Sequence, residues 1–268
     1  MQLASIEHGD GFPLVCLPWF GLDGTVMAAA FEPALAQQPG LRRIYVDLPG
    51  CGRSPGGPAD SDAVLDTVFD FIDQAIATDR FLLAGCSYGG YLAAAIARNR
   101  PGQVDGLLLV CPGVKIRPED RELPDRPEES AEAVWLTEAP DDLRDHLAQA
   151  LGNRTRHAAG QVGSALASSS PGDEAYLRRL WETGYRLSDE DSSAVYAGPT
   201  SIIAGRQDGI AGYADQFRAL ANYPQASYTV LADAGHYVPF EQPGAFRSLV
   251  LDWLARTSAA GTDRWQPA

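Results

Sequence analysis

The chain has 268 residues, 45% of them hydrophobic, enough for a large core in one α/β domain. Its net charge is −14, and an acidic surface repels phosphate backbones and anionic lipid, which argues against nucleic acid or a membrane as partner. No apolar run reaches the length of about 18 residues that a transmembrane helix needs, and Met1 to Ser5 lack the basic and apolar stretches of a signal peptide, so a cytoplasmic protein is expected.

Cys16, Cys51, Cys86 and Cys111 form no C-x-x-C pair, and no histidine stands at zinc-ligand spacing. Three of them fall in or beside apolar runs, the pattern of buried reduced thiols rather than of disulfides or metal ligands.

In chain order, residues 2–7 read as a short strand and 13–17 as an apolar one, followed by a turn-rich loop, Pro18 to Gly24. Residues 25–37 are apolar at helical spacing. A strand at 43–48 runs into a glycine–proline loop, Pro49 to Pro58. Val64, Leu65, Val68, Phe71, Ile72 and Ile76 make 61–78 an amphipathic helix that Ser61 or Asp62 would cap. Residues 81–86 are an apolar strand, 91–100 a helix stopped by Pro101-Gly102, and 104–111 another apolar strand. Continuously apolar strands separated by helices imply a mostly parallel sheet covered on both faces, with ligands at the carboxyl ends of its strands.

After Pro112 the composition changes. Residues 115–132 are charged and proline-rich (Pro118, Pro124, Pro127), and helical patterns follow at 141–151, 154–167 and 173–187. The α/β pattern resumes with a strand at 200–204, a helix at 213–223, a strand at 227–231, a helix at 244–257 and a tail expected to fray. The expected organisation is a core of residues 1–112 and 197–268 with a helical cap, 113–196, whose mobility would suit a gate for substrate.

Chemistry centres on Gly85-Cys86-Ser87-Tyr88-Gly89, between an apolar strand and a helix. Such a turn raises its serine above the sheet edge, where backbones pass too closely for side chains at either glycine; read blandly, Ser87 is a helix N-cap. A serine nucleophile needs a base to take its proton and a carboxylate to hold that base in one tautomer. Of four histidines, His236 alone follows the last strand, at the same sheet edge; His8, His146 and His157 read as surface or structural. Asp208 follows an apolar strand in a glycine-flanked loop; Asp233, three residues before His236, competes with it, and Asp215 falls on an expected helix.

Gly85-x-Ser87-x-Gly89, Gly205-Arg206-Gln207-Asp208, Ala234-Gly235-His236 followed by Glu241-Gln242-Pro243, and the Asp47-Leu48-Pro49-Gly50-Cys51-Gly52-Arg53-Ser54 loop together resemble the α/β-hydrolase superfamily, in that family's order. The resemblance implies Ser87 as nucleophile, Asp208 as orienting acid and His236 as base, and needs no metal or cofactor. It departs in two places. The chain starts at the family's second strand, which predicts seven strands rather than eight. The family's oxyanion loop usually reads His-Gly-x, whereas this chain has Pro18-Trp19 before Phe20. By position the Phe20 and Tyr88 amides form the oxyanion hole, while Trp19 either fills space near the site or packs in the core.

Trp19, Tyr237, Trp135 and Trp181, together with Phe20, Tyr88 and Tyr185, suggest an apolar pocket for a small organic molecule, with no cationic cluster to hold a phosphate or carboxylate. The expected activity is hydrolysis of a small apolar carboxylic ester, lactone or thioester through an acyl-Ser87 intermediate. The same triad could serve acyl transfer, cyclisation or carbon–carbon cleavage, and the same pocket a non-catalytic small-molecule receptor. Nothing in the sequence bears on oligomeric state.

Overall fold

Apolar runs become buried strands: β2 (Phe12–Leu17), β4 (Phe81–Cys86), β5 (Val104–Val110) and β6 (Thr200–Gly205) are buried at every position. The computed structural model describes residues 2–76, 80–125 and 132–259. With β1 (Ser5–His8), β3 (Leu41–Val46) and β7 (Ala226–Leu231), these strands form one seven-stranded sheet in the order β1-β3-β2-β4-β5-β6-β7. Only β1 is antiparallel, pairing Ile6 with Tyr45 of β3. The seven-stranded, doubly wound, mostly parallel sheet is the architecture anticipated.

Side chains alternate between the two faces of each strand, so β2 feeds two cores at once. Leu14 and Cys16 pack with Val26, Met27 and Phe31 of α1 (Gly24–Leu35) and with Phe246, Val250 and Trp253 of the last helix. Val15 and Leu17 pack with Val64, Val68 and Ile72 of α2 (Ser61–Ala75) and with Leu92 and Ile96 of α3 (Tyr88–Asn99). From β2 the chain crosses to β3 on one side, then returns through α2 to β4 on the other. The order therefore reverses between β2 and β4, and the loops after these two strands part to leave a crevice.

The motif at Asp47 braces that crevice. Asp47 Oδ1 accepts from the Gly24 amide (2.8 Å) and Oδ2 from the Arg53 amide (3.0 Å), while Ser54 donates to the Asp47 carbonyl. Gly52 sits at φ 53°, where a Cβ would lie 2.6 Å from Asp47 Oδ2. Asp23 caps α1 through the Thr25 and Val26 amides. The N-cap of α2 is Asp60, not Ser61 or Asp62: its carboxylate accepts from Asp62 and Ala63, while the Ser61 hydroxyl is turned into the interior.

Between β5 and β6 the described residues hold no strand. They form α4 (Arg144–Ala150), α5 (Arg156–Ala167) and α6 (Glu174–Arg179), which runs on into a π-helical turn, Leu180–Gly184. That turn, in place of a longer α-helix, lies where Gly184 packs onto Ala59: a Cβ there would meet the Ala59 oxygen at 2.2 Å. The segment is fastened to the rest of the domain by Ser170 to Asp23, by Asp173 to Gly50, and by Glu190, which accepts from Tyr91 Oη of α3. The chain closes with α7 (Ala214–Arg218), shorter than expected because Ala219–Asn222 tightens to a 3₁₀ turn, then α8 (Val238–Glu241) and α9 (Pro243–Ala259). Residues 77 and 78 of the expected second helix, Pro127, and the tail from 260 lie outside the described residues.

Candidate active site

Ser87 is one of two described non-glycine residues with positive φ, at φ 53° and ψ −116°. Such a conformation costs on the order of 1–3 kcal/mol and persists where the surroundings over-determine it. The Ser87 amide donates to Val110, and its carbonyl accepts from Tyr91 and Gly113. A Cβ on Gly85 would lie 2.3 Å from the Gly89 oxygen, and one on Gly89 would lie 2.2 Å from the Leu17 oxygen. Ser87 stands at the N-cap position of α3, but its hydroxyl makes no capping bond to the helix.

Asp208 and His236 come together. Both are buried, and His236 Nδ1 lies 2.9 Å from Asp208 Oδ2. Asp208 Oδ1 is taken by the Ile210 (2.8 Å) and Ala211 (3.0 Å) amides, which turns Oδ2 toward the ring. Burial pushes the Asp208 carboxyl up, but the neighbouring His236 and these two amides outweigh it and hold the group below its ordinary range. An ionised carboxylate only accepts, so Nδ1 carries the proton and Nε2 is left as the basic nitrogen. The rival acid Asp233 contributes its carbonyl to Gln242, and Asp215 pairs with Arg218.

Cys111, at φ 43°, lies beside this pair; its Sγ, an Asp208 oxygen and a His236 nitrogen all fall within 4.8 Å of one another. These are metal-ligand types. Burial raises the Cys111 thiol well above its ordinary value, and the protonated thiol points at the Gly235 carbonyl at 3.4 Å. A metal would have to displace that proton and break the Asp208–His236 bond, so the residues fit their mutual hydrogen bonding better than an ion.

Ser87 and His236 line one cavity of about 530 Å³ at the switch in strand order. Trp19, Phe20, Trp181, Tyr185 and Tyr237 line it too, as the sequence suggested; Trp135 does not, and packs partly buried against the α1–α9 core instead. Phe20, Trp181 and Tyr185 form one aromatic wall with centroids 4.6–5.6 Å apart, backed by Tyr88. Trp19 is 2% exposed and lies tilted against Tyr237 with ring centroids 5.5 Å apart, so it packs in the core and lines the cavity at once. The turn from Trp19 to Leu22 is closed by the Leu22 amide on the Trp19 carbonyl, with Gly21 at φ 74°. Among the described residues, no protein group accepts from the Phe20 or Tyr88 amide. Tyr88 is the first residue of α3, where the helix itself offers no acceptor.

An alpha/beta hydrolase family model matches residues 8–249. The chain is an α/β-hydrolase. A crystal structure of an alpha/beta superfamily hydrolase from Oenococcus oeni superposes with a TM-score of 0.83, at 26% identity over 96% of either chain. Among curated relatives, the 2-hydroxy-6-oxononadienedioate/2-hydroxy-6-oxononatrienedioate hydrolase of Burkholderia vietnamiensis is 26% identical over 81% of this chain and 77% of its own. The pimeloyl-[acyl-carrier protein] methyl ester esterase of Vibrio campbellii is 34% identical over 42% of each.

Two ionisable cavity residues of this α/β-hydrolase escaped sequence reasoning. His146, expected at the surface or in a structural role, lines the cavity from α4, with Nε2 2.7 Å from Tyr237 Oη. Burial, then the nearby His236, lower its pKa to about 4, so it is neutral near pH 7. Arg121 lines the cavity as well, its guanidinium bonded to the Lys115, Ile116 and Ile210 carbonyls. His8 instead packs on Tyr45, and His157 lines a shallow groove of about 800 Å³ beside α1 and α5. Ser61 is a third surprise: it donates to the Tyr185 carbonyl and so accepts from Tyr88 Oη, holding both aromatic residues by the site (2.8 Å each).

Proposed function

We propose that this chain is a serine hydrolase that cleaves a small carboxylic ester, lactone or thioester through an acyl-Ser87 intermediate. The observation that carries the reading is a strained serine whose hydroxyl is not spent on capping, lining the same cavity as a histidine oriented by a buried aspartate. Ser87 Oγ attacks the carbonyl carbon while His236 Nε2 takes its proton. Asp208 stabilises the imidazolium that forms without itself becoming protonated. The developing oxyanion is held by the Phe20 and Tyr88 amides, each donor of such a hole being worth about 10²–10³ in rate. His236 then protonates the leaving group, and a water activated by the same nitrogen clears the acyl group.

The aromatic wall suits an apolar acyl or alcohol portion, and the helical segment from 113 to 196 serves as a cap over the crevice. Four free buried cysteines fit a reducing cytoplasmic setting, and among the described residues no helix is long and apolar enough to cross a membrane. Carbon–carbon hydrolysis is the second reading, favoured by the likeness to the Burkholderia vietnamiensis enzyme over most of this chain.

A fluorophosphonate probe and a panel of chromogenic esters, lactones and thioesters test the first reading. Covalent modification at Ser87, with turnover lowered on the order of 10⁶-fold in Ser87→Ala, is expected. A folded wild-type protein that is neither labelled nor active on any ester would sink it.

A further inference from the structure

Glu241 is a buried carboxylate that the mechanism above does not use. It stands on α8, five residues beyond His236, and is 3% exposed. Its partners are backbone amides drawn from two places. Oε1 accepts from Gly235 (3.0 Å) and Tyr237 (3.0 Å), on either side of His236. Oε2 accepts from Gly152 (2.7 Å) and Asn153 (2.8 Å), in the turn after α4, and from Gly235 (3.0 Å). The His236 amide donates to the Ala150 carbonyl at 2.7 Å, so three consecutive backbone N–H groups, 235 to 237, are all committed to this junction. Asn153 Nδ2 closes it by donating to the Glu241 carbonyl.

The two backbones touch. A Cβ on Gly235 would lie 2.0 Å from the Ala150 oxygen, and one on Gly152 would lie 2.4 Å from the Ala234 carbonyl carbon. An ionised carboxylate is costly to bury without a counter-ion, but here it is the one group that can accept from four amides at once. A neutral amide in its place would turn an N–H toward other N–H groups and leave buried donors unpaired. Burial pushes the Glu241 carboxyl up, against the pull of these four donors.

We propose that Glu241 is a positioning residue for His236: its carboxylate locks the turn at 152–153 onto the 235–237 backbone and so fixes where the imidazole stands between Asp208 and Ser87. The segment between β5 and β6 is then part of the catalytic framework at this edge, tied down beside the base. His146, bonded to Tyr237 from the same α4, is a further tie across the junction. The inference rests on the assignment of His236 as the base.

The test is Glu241→Gln in the full chain, read three ways: melting temperature, the rate of Ser87 labelling by a fluorophosphonate, and the long-range ¹H–¹⁵N spectrum of the imidazoles, with His236→Gln to assign the signal. Glu241→Gln is expected to fold with a lowered melting temperature. Its His236 signal should pass from one tautomer to a mixture, and labelling should slow by about 10²-fold, the scale of a catalytic group misplaced by about 1 Å. Gly152→Ala, which pushes on the junction from the other side, should move the same signal. A folded Glu241→Gln protein with a wild-type His236 spectrum and labelling rate overturns the proposal, whatever its melting temperature. If Glu241→Gln yields no folded protein, Gly152→Ala decides by the same criteria. An unlabelled wild-type protein would defeat the hydrolase reading alone, because the tautomer still reports whether Glu241 holds His236.

Discussion

Ser87 is positioned by its own turn and by the strand ends and loops beside it, at Leu17, Val110 and Gly113, whereas the contacts that hold His236 also reach α4 and α8. The serine owes its place to the end of β4, a backbone at φ 53°, and two glycines that let α3 close against β2. The histidine is held by Asp208 after β6, by Ala150 at the end of α4 and, through the Gly235 and Tyr237 amides, by Glu241 on α8. Ser87 therefore rests on the strand ends of the sheet, whereas His236 inherits any shift in the helices between β5 and β6.

The sharpest way to break this contrast is Asp208→Asn. It leaves the elbow untouched but lets the ring present the wrong nitrogen, so kcat should fall by about 10⁴-fold with Ser87 still in its strained conformation. A loss below tenfold on the ester panel would mean that His236 does not depend on its distant partner.

Gly89→Ala probes the local side. Its Cβ would meet the Leu17 oxygen at 2.2 Å, so urea denaturation should show a loss of about 3 kcal/mol, at the upper end of overpacking. Unchanged stability would show the elbow to be less tightly closed than its backbone implies.

His146→Gln gives the smallest effect and sharpens the picture at the junction. His146 has its folded pKa lowered from 6.5 to about 4, so the unfolded chain binds the extra proton between those values and stability is lost as the pH falls through that window. Glutamine keeps a hydrogen bond to Tyr237 but cannot titrate. The variant should retain about 1 kcal/mol more of its neutral-pH stability at pH 5 than the wild type, after allowance for partial exposure of the ring. Parallel melting curves from pH 4 to 6.5 would remove His146 from the acid response.

The same contrast explains what could be read from the sequence. The elbow lies within twelve contiguous residues, strand through helix, and its spacing survives translation into structure intact. Asp208 and His236 were legible by residue type, chain order and their places after apolar strands. His146 was not: α4 carries no mark of chemistry, and only tertiary packing brings its ring to Tyr237. The capping of α2 misled for a related reason. Ser61 has the right side chain for an N-cap, but burial between Tyr88 and Tyr185 claims its hydroxyl, and Asp60 takes the role. Trp135 shows the limit of reading aromatic residues as pocket, since a large ring fills a core as readily as a cleft.

The crossing of Gly152 over Gly235 also sets a rule for building chimaeras. An engineer who swaps the helices between β5 and β6 for those of a relative, in search of a new substrate range, is not exchanging a detachable module. The donor segment must present a glycine where it crosses position 235 and two free amides to Glu241. A graft that ends before Ala150 and keeps residues 150–153 native carries the backbone part of the junction with it, and loses only the His146 tie to Tyr237.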